Sequence, residues 1–338
     1  MSEAVRSVIG KLAAGDSPTN GEVTSAFEAI LQGEAEPALI AAFLMGLRMR
    51  GETVEEIVSG VRVLRSHART VTAPAGAVDT CGTGGLGWTS LNTSTASALV
   101  AAGAGAIVAK HGNRSVPPKT GSADVLEALG VNLAMSDEQI AACFDKAGVA
   151  FLFAPAHHSA MRHVAPVRKA LGIRTIFNFL GPLSNPAGAT RQVLGVFGRE
   201  WVEPYAEALL RLGASRAWVV HGLDGLDELS TSGTSLVAEV KDGAIRTFEL
   251  EPEGVGLPRT PLDALRGGTP EENAAAIRKL LDGDDGPFAD LVAFNAAATL
   301  VVAEIASDIG DGVARARDSI ASGAARTALE NIVATSNG

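Results

Sequence analysis

The sequence is poor in cysteine and in long apolar runs, and each shortage excludes a class of protein. Cys81 and Cys143 are the only two cysteines in 338 residues, so disulfides can contribute at most one bridge, and we expect a reduced, cytoplasmic protein. The longest apolar stretches, residues 38–47 and 291–303, are shorter than the ~20 residues that a membrane helix needs. The sequence therefore predicts a globular protein that does not span a membrane.

Excess positive charge is also missing, since the net charge is -10 at pH 7. This charge argues against general nucleic-acid binding, because phosphate backbones require a basic surface. The acidic residues are unevenly distributed: residues 80–123 and 146–199 contain no Asp or Glu, although both contain Lys and Arg. We expect these two stretches to fold around a small anionic ligand, the alternative being chance in an Ala- and Gly-rich chain.

The periodicity of apolar residues divides the chain into two parts. Up to residue 70 the spacing is helical throughout, and after a Pro-, Gly- and Ala-rich stretch at residues 71–76 strand and helix patterns alternate. Strands are predicted at residues 78–81, 106–109, 149–153, 192–197 and 216–220, followed by a hairpin of residues 235–240 and 244–250. The pattern predicts the α/β class: a small N-terminal helical domain, residues 1–72, plus a large α/β domain, residues 73–338, with a mainly parallel central sheet.

A glycine-rich turn, Gly82-Thr83-Gly84-Gly85-Leu86-Gly87, follows the first predicted strand and precedes a helix. Such a turn lets backbone N–H groups approach an anion. A dinucleotide site would need an acidic residue at the end of the next strand, where this chain has Lys110-His111-Gly112-Asn113-Arg114, and no Lys-Ser/Thr pair follows the glycines as in a P-loop. The sequence favours a phosphate ligand, and an ordinary strand-to-helix turn remains the alternative.

Two adjacent carboxylates, Asp227 and Glu228, follow the last of the predicted parallel strands. Ligands of open α/β sheets bind outside the carboxyl ends of strands, and carboxylates there suit a Mg²⁺ ion that bridges a polyphosphate. Ser94, at a helix start, can add a hydroxyl ligand, whereas an acidic surface turn is the alternative. His157, His158 and His163 lack zinc-site spacing.

Taken in order, several strings make the chain similar to the anthranilate phosphoribosyltransferase family over nearly its whole length. These strings are Gly82-Thr83-Gly84-Gly85, Asn92-Thr93-Ser94-Thr95, Lys110-His111-Gly112-Asn113-Arg114, Gly121-Ser122-Ala123-Asp124, His157-His158, Arg168, Arg174-Thr175-Ile176-Phe177-Asn178, Gly181-Pro182-Leu183, Asn185-Pro186 and Asp227-Glu228. The resemblance implies a Mg²⁺-dependent enzyme of tryptophan biosynthesis, in which 5-phosphoribosyl 1-diphosphate (PRPP) and anthranilate give N-(5-phosphoribosyl)anthranilate and diphosphate. It also implies a homodimer formed through the helical domain and an active site in the interdomain cleft.

The same resemblance implies a role for each matching residue. PRPP binding falls to Gly82, Gly85, Leu86, Ser90, Asn92, Thr93, Ser94, Thr95, Lys110, His111, Gly112, Asn113, Arg114, Lys119 and Ser122. Anthranilate binding falls to Gly82, Asn113, His158 and Arg168, and Mg²⁺ binding to Ser94, Asp227 and Glu228. Because the aromatic amine is neutral at pH 7, no residue is assigned as general acid or base.

Three positions depart from the family pattern. Leu86 stands where the family usually has Asp, Ser90-Leu91 replaces Thr-Phe, and Pro117-Pro118 replaces two serines. Proline supplies neither a hydroxyl nor a backbone N–H, so several donors to phosphate are missing. The departures leave two alternatives open: a diverged homologue that uses another aromatic acceptor, and a catalytically silent ligand-binding relative.

Overall fold

The computed structural model describes residues 2–84, 90–115 and 120–338. The α-helices are α1 (Glu3–Ala14), α2 (Asn20–Leu31), α3 (Pro37–Arg50), α4 (Val54–Ser66), α5 (Thr93–Gly103), α6 (Ser122–Leu129), α7 (Asp137–Ala147), α8 (Ala154–His157), α9 (Ala165–Leu171), α10 (Phe177–Leu180), α11 (Val202–Arg211), α12 (Pro270–Leu281), α13 (Pro287–Val302), α14 (Ile309–Ala321) and α15 (Ala324–Asn337). The strands are β1 (Val78–Gly82), β2 (Val108–Gly112), β3 (Val149–Phe153), β4 (Arg191–Gly195), β5 (Arg216–Gly222), β6 (Ser235–Lys241) and β7 (Ala244–Leu250). Within the described part of the chain, no helix is long and apolar enough to cross a membrane.

The chain forms two compact units. One consists of Met1–Thr70 and Pro155–Pro186, and the other of Val71–Ala154 and Ala187–Gly338. The sequence pattern assigns residues 155–186 to the α/β domain, whereas the structure packs them with the N-terminal helices. Residues 155–186 lie between strands β3 and β4 in the sequence. The apolar residues within this segment have no periodicity that would indicate which unit they pack against.

The helical unit is built on capped helices around an aromatic core. Thr19 and Thr53 are the N-cap residues of α2 and α4, and each forms a capping box with the glutamate three residues later. The rings of Phe43 and Phe177 both meet Phe27 edge-on, at centroid distances of 5.3 Å and 5.9 Å. Phe177 thereby secures the inserted segment within this unit.

The α/β unit contains a seven-stranded sheet in the order β3-β2-β1-β4-β5-β6-β7. The first five strands in this order are parallel, and β6 and β7 are antiparallel, so the prediction of a mainly parallel sheet is confirmed. The hairpin prediction is also confirmed, with Asp242 and Gly243 at φ 51° and 75° in the turn. Strand β2 begins at Val108 instead of residue 106 and continues to Gly112, so Lys110 lies inside the strand.

The strand order reverses between β1 and β4, and this switch point is where open α/β sheets bind ligands. The loop that follows β5 crosses the carboxyl ends of these two strands. A Cβ atom on Gly195, the last residue of β4, would overlap the backbone carbonyl group of Asp227. Only glycine allows the loop to approach the sheet this closely.

We expect Gly195→Ala to lower the free energy of unfolding by about 1–3 kcal/mol, because the added methyl meets a backbone atom that cannot rotate away. Gly233→Ala is the matched control, since a Cβ atom there meets nothing within 4 Å. We expect the control to stay within about 0.5 kcal/mol of the wild type. Urea denaturation measures both variants, and equal stabilities would contradict the close packing at Gly195.

Candidate active site

The structure brings Asp227 to the glycine turn at the end of β1. One carboxylate oxygen, Oδ2, accepts a hydrogen bond from the backbone N–H of Gly84 at 2.8 Å. A Cβ atom on Gly82 would lie 2.6 Å from the same oxygen. The turn therefore presents the backbone N–H of Gly84 to an anionic group, which in this structure is the Asp227 carboxylate.

Glu228, the neighbouring carboxyl group, is half-buried beside the start of α5, with its Oε2 atom shielded from solvent. Burial, reinforced by the negative charge of Asp227, raises the pKa of Glu228 to about 8 from 4.5, although hydrogen bonds from the Thr93 hydroxyl and the Ser94 backbone oppose the shift. The Oε2 atom of Glu228 has no hydrogen-bond partner among the described residues. A buried carboxylate oxygen without a donor is suited to a cation.

Lys110 supplies a buried positive charge beside these carboxyl groups. Its side chain leaves β2 with 2% of the residue exposed, and Nζ donates to the carbonyl oxygen of Thr80 at 2.7 Å and to Oγ of Ser94 at 3.1 Å. Burial lowers the pKa of Lys110, while the charges of Asp79 and Glu228 counteract this effect. We call Ser94, Lys110, Asp227 and Glu228 the carboxylate–lysine cluster.

The donor set of this cluster fits Mg²⁺. Two carboxylates and the Ser94 hydroxyl are hard oxygen ligands, and the unsatisfied Oε2 of Glu228 offers a position for a cation. Across residues 2–84, 90–115 and 120–338, no group of three or more His, Cys, Asp or Glu side chains could hold a metal ion. If Mg²⁺ binds here, these three residues would supply only some of its oxygen ligands.

Asp79 is a residue of this region that the sequence analysis missed. It is completely buried in β1, where Oδ1 accepts from the backbone N–H of His111 at 3.1 Å and Oδ2 from Nε2 of Gln192 at 3.1 Å. The carboxylate thus joins the central strand to both neighbours and fixes the backbone next to Lys110. An acidic residue inside a short strand with Val78 and Cys81 was the available signal.

Asn273 is a second missed residue, and it orders the segment before α5. Its Nδ2 donates to Oδ1 of Asn92 at 2.8 Å and to the carbonyl oxygen of Ser90 at 3.2 Å. Asn92 in turn donates to the carbonyl oxygen of Thr120 at 3.2 Å. Asn273 is 1% exposed, and a polar residue on the buried face of α12 was the signal that could have identified it.

Arg114 lies outside the carboxylate–lysine cluster and already has acidic partners. Its guanidinium forms ion pairs with Asp124 at 2.9 Å and Glu127 at 2.6 Å, both in α6, and these bonds raise its pKa. The side chain is nearly half exposed. The acid-free stretch therefore ends just before residues that neutralise one of its cations, which the charge pattern did not reveal.

Gly112, Asn113 and Ser122 lie near one another at the end of β2 and the start of α6. Oγ of Ser122 is within 3.4 Å of the carbonyl oxygen of Asn113, and a Cβ atom on Gly112 would overlap the same Oγ. The buried Thr95 hydroxyl has no partner in the part of the chain that the structure describes. Gly85, Leu86 and Lys119 lie outside the described residues, as do Pro117 and Pro118.

His158 and Arg168 belong to the helical unit. Burial, together with the charge of His157, lowers the pKa of His158 to about 4, so its ring is neutral at pH 7. The Arg168 guanidinium lies 5.9 Å from the centroid of the Phe177 ring, and burial lowers its pKa. A half-buried guanidinium braced by an aromatic ring is a suitable partner for a carboxylate.

Comparison with protein families gives matches along almost the whole chain. Residues 6–68 match the helical bundle domain of the glycosyl transferase family, and residues 74–326 match the a/b domain of that family. The predicted fold class, a helical domain followed by an α/β domain, is therefore confirmed.

Individual relatives are similar over the full length. Proteins named anthranilate phosphoribosyltransferase in Hyphomonas neptunium and Parvibaculum lavamentivorans are 57% and 56% identical, with at least 98% of each chain covered. The crystal structure of the enzyme of that name from Thermus thermophilus is 47% identical, with a TM-score of 0.92 over 98% of this chain and 99% of that one. The Saccharomyces cerevisiae enzyme, solved with PRPP and Mg and with 4-fluoroanthranilate, is 28% identical, with TM-scores of 0.91 and 0.89 over 100% of this chain and 99% of those chains.

The raised pKa of Glu228 predicts how stability depends on pH. Between pH 4.5 and about 8 the native carboxyl group stays protonated while the unfolded one ionises, so this group destabilises the fold increasingly as pH rises. Glu228→Gln removes the effect. We therefore expect the stability of the variant relative to wild type to increase from pH 4.5 to pH 8 and to level off above it.

Chemical denaturation in EDTA at several pH values measures this difference. The exposed Glu249 provides the matched control, because Glu249→Gln makes the same change of side chain on the surface of β7. A difference in the free energy of unfolding between Glu228→Gln and wild type that does not change with pH would contradict the raised pKa of Glu228.

Proposed function

This chain belongs to the anthranilate phosphoribosyltransferases of the glycosyl transferase family, and we propose that it transfers the phosphoribosyl group of PRPP to the amine of anthranilate. It is an enzyme of the transferase class, and the reaction gives N-(5-phosphoribosyl)anthranilate and diphosphate, a step of tryptophan biosynthesis. The observation that carries the proposal is the carboxylate–lysine cluster at the carboxyl ends of the parallel strands, in a chain whose relatives share this name over their full length.

The PRPP side of the reaction falls to the α/β unit. We propose that the glycine turn after β1, the start of α5 and the end of β2 hold the donor, because backbone N–H groups and the Lys110 ammonium favour phosphate there. The residues concerned are Gly82, Gly85, Leu86, Ser90, Asn92, Thr93, Ser94, Thr95, Lys110, His111, Gly112, Asn113, Arg114, Lys119 and Ser122. Asp227 occupies the Gly84 N–H in this structure, so binding an anion at that donor requires the carboxylate to move.

Asp227, Glu228 and Ser94 are the residues that would hold Mg²⁺. When bound, Mg²⁺ supplies positive charge that stabilises the diphosphate leaving group. The chain itself would hold the Lys110 side chain, buried and fixed by hydrogen bonds, near the diphosphate group. The charge of Lys110 acts there in a medium of low dielectric constant. The bond from the ribose carbon to the diphosphate oxygen breaks, the bond to the amine nitrogen forms, and the amine proton passes to solvent.

The acceptor is recognised by its carboxylate and its amine. We propose that Arg168 binds the anthranilate carboxylate, since its guanidinium is half-buried and braced against Phe177. His158, neutral at pH 7, can form a hydrogen bond to the acceptor without competing with Arg168 for the negative charge of the carboxylate. Gly82 and Asn113 complete the proposed acceptor set.

A homodimer formed through the helical unit is part of the proposal. Ala38, Ala42, Met45 and Met49 follow one another along α3 at helical spacing, and Met49 is 82% exposed. A row of apolar side chains on the surface favours a second copy of the same chain as its partner. Sedimentation velocity giving the mass of a single chain at micromolar concentration would contradict this.

The departures at Leu86 and Pro117-Pro118 lie outside the described residues and favour neither alternative function. Relatives with 57% and 56% identity carry the name of the anthranilate enzyme, which supports the ordinary acceptor. An assay of diphosphate release from PRPP with a panel of aromatic acids and amines separates the three hypotheses. Anthranilate as the preferred acceptor supports the proposal, and no turnover with any acceptor would contradict it.

We expect Asp227→Asn combined with Glu228→Gln to abolish Mg²⁺-dependent diphosphate release while leaving the fold intact. The change keeps the size of both side chains and removes the charges that bind the cation. Circular dichroism checks the fold, and Asp224→Asn, a carboxylate of the same loop that bonds Ser230 and Ser232, is the control. Turnover with an unaltered Mg²⁺ dependence in the double variant would exclude these residues as metal ligands.

Arg168→Ala should raise KM for anthranilate about 30-fold or more, because one charge-assisted contact to a carboxylate is worth about 2 kcal/mol. KM for PRPP should change little. Lys169→Ala removes the adjacent exposed cation and should leave both constants unchanged. If steady-state kinetics place the loss on PRPP, Arg168 belongs to the phosphate site.

A further inference from the structure

Asn295 is a polar residue in the buried, mostly apolar part of helix α13. From Leu291 to Val302 every residue of α13 is buried, and Asn295 itself is 5% exposed. Burying a carboxamide costs free energy unless each polar atom finds a hydrogen bond. The structure shows what these atoms bind.

The Asn295 side chain bonds both peptide groups of a single loop residue, Leu229. Its Oδ1 accepts from the backbone N–H of Leu229 at 2.9 Å, and its Nδ2 donates to the carbonyl oxygen of Leu229 at 2.8 Å. The same Nδ2 also donates to the carbonyl oxygen of Leu291, one turn earlier in α13, at 2.9 Å. Leu229 lies outside any helix or strand. The carboxamide gives its backbone N–H and carbonyl group the pair of hydrogen bonds that a neighbouring strand would give a strand residue.

Leu229 directly follows Glu228, and a second leucine precedes the carboxylates. Leu226 is 1% exposed and packs with Leu265 and Leu291 in a small apolar cluster, while Leu229 is fully buried in the main core. Asp227 and Glu228 are thus held between two anchored leucines. Helix α13 contributes to both anchors, through the Leu291 side chain at one end and the Asn295 amide at the other.

We propose that Asn295 is a positioning residue for the Mg²⁺ ligands Asp227 and Glu228, acting through its paired hydrogen bonds to the Leu229 backbone. The inference rests on the proposed function for the identity of the ligands. With the backbone held before the cation arrives, less conformational freedom is lost on metal binding. Outer-shell groups of this kind typically change metal affinity about 10–100-fold when they are removed.

Two substitutions and one control isolate this role. Asn295→Leu has a similar volume without polar atoms, and Asn295→Ala removes the amide without adding bulk. Thr299→Val is the matched control: Thr299 is a fully buried polar residue one turn later in α13, and its hydroxyl bonds only the carbonyl oxygen of Asn295 at 3.1 Å among the bonds of the described residues. It therefore reproduces a polar-to-apolar change in the same helix without touching the loop.

The first measurement is hydrogen–deuterium exchange of the Leu229 amide in the metal-free full-length protein. We expect strong protection in wild type and in Thr299→Val, and exchange at least about tenfold faster in both Asn295 variants. Fast exchange of this amide in wild type would overturn the proposal, and so would unchanged exchange in the Asn295 variants. If neither variant folds, protection of the wild-type amide equal to that of the central strands supports the proposal.

The second measurement is Mn²⁺ binding, followed by electron paramagnetic resonance with and without PRPP. We expect the Asn295 variants to need about tenfold more Mn²⁺ for half-saturation, with KM for anthranilate unchanged, and Thr299→Val to behave as wild type. Equal Mn²⁺ affinities in all four proteins would overturn the role. A wild type that binds Mn²⁺ but transfers no phosphoribosyl group would contradict the proposed function and leave this comparison intact.

Discussion

Glu228 is half-buried, beside Asp227 and near the buried Lys110 ammonium, and its Oε2 atom is shielded from solvent and receives no hydrogen bond from the described residues. Burial and the negative charge of Asp227 both disfavour a charge on Glu228 because the dielectric constant there is low, and they raise the pKa of Glu228 to about 8. The surrounding structure balances this charge only in part, through the start of α5 and Lys110. The site is therefore stable enough to form and still incomplete electrostatically, which is the condition for binding a cation together with an anionic substrate.

Three features of the surrounding structure position Asp227, Glu228 and Lys110. Gly195 removes a side chain from the end of β4 so that the loop carrying Asp227 can lie against the sheet. Asp79 joins β1 to β2 and β4 and fixes the strand that carries Lys110. The switch in strand order between β1 and β4 brings these pieces to one edge.

The sequence predicted the layers of the fold and the chemistry of the loop, because hydrophobic periodicity and glycine-rich turns are local signals. Tertiary packing decided the rest. The segment Pro155–Pro186 belongs to the helical unit through contacts such as that between Phe177 and Phe27. No local sequence pattern predicts these contacts. Arg114 finds its partners in Glu127 and Asp124 just beyond the acid-free stretch, and Asn273 acts across a long separation in sequence. Polar residues inside mostly apolar helices and strands are the sequence signal that could have indicated such contacts.

We propose that Asp227, Glu228 and Ser94 would provide only part of the coordination shell of Mg²⁺ and that the phosphates of PRPP and water would provide the rest. Isothermal titration of the wild-type enzyme with Mg²⁺, in the absence and in the presence of PRPP, tests it directly. We expect weak binding of Mg²⁺ alone and binding at least about tenfold tighter with PRPP, after correction for the affinity of free PRPP for the ion. Equally tight binding of Mg²⁺ without PRPP would contradict it.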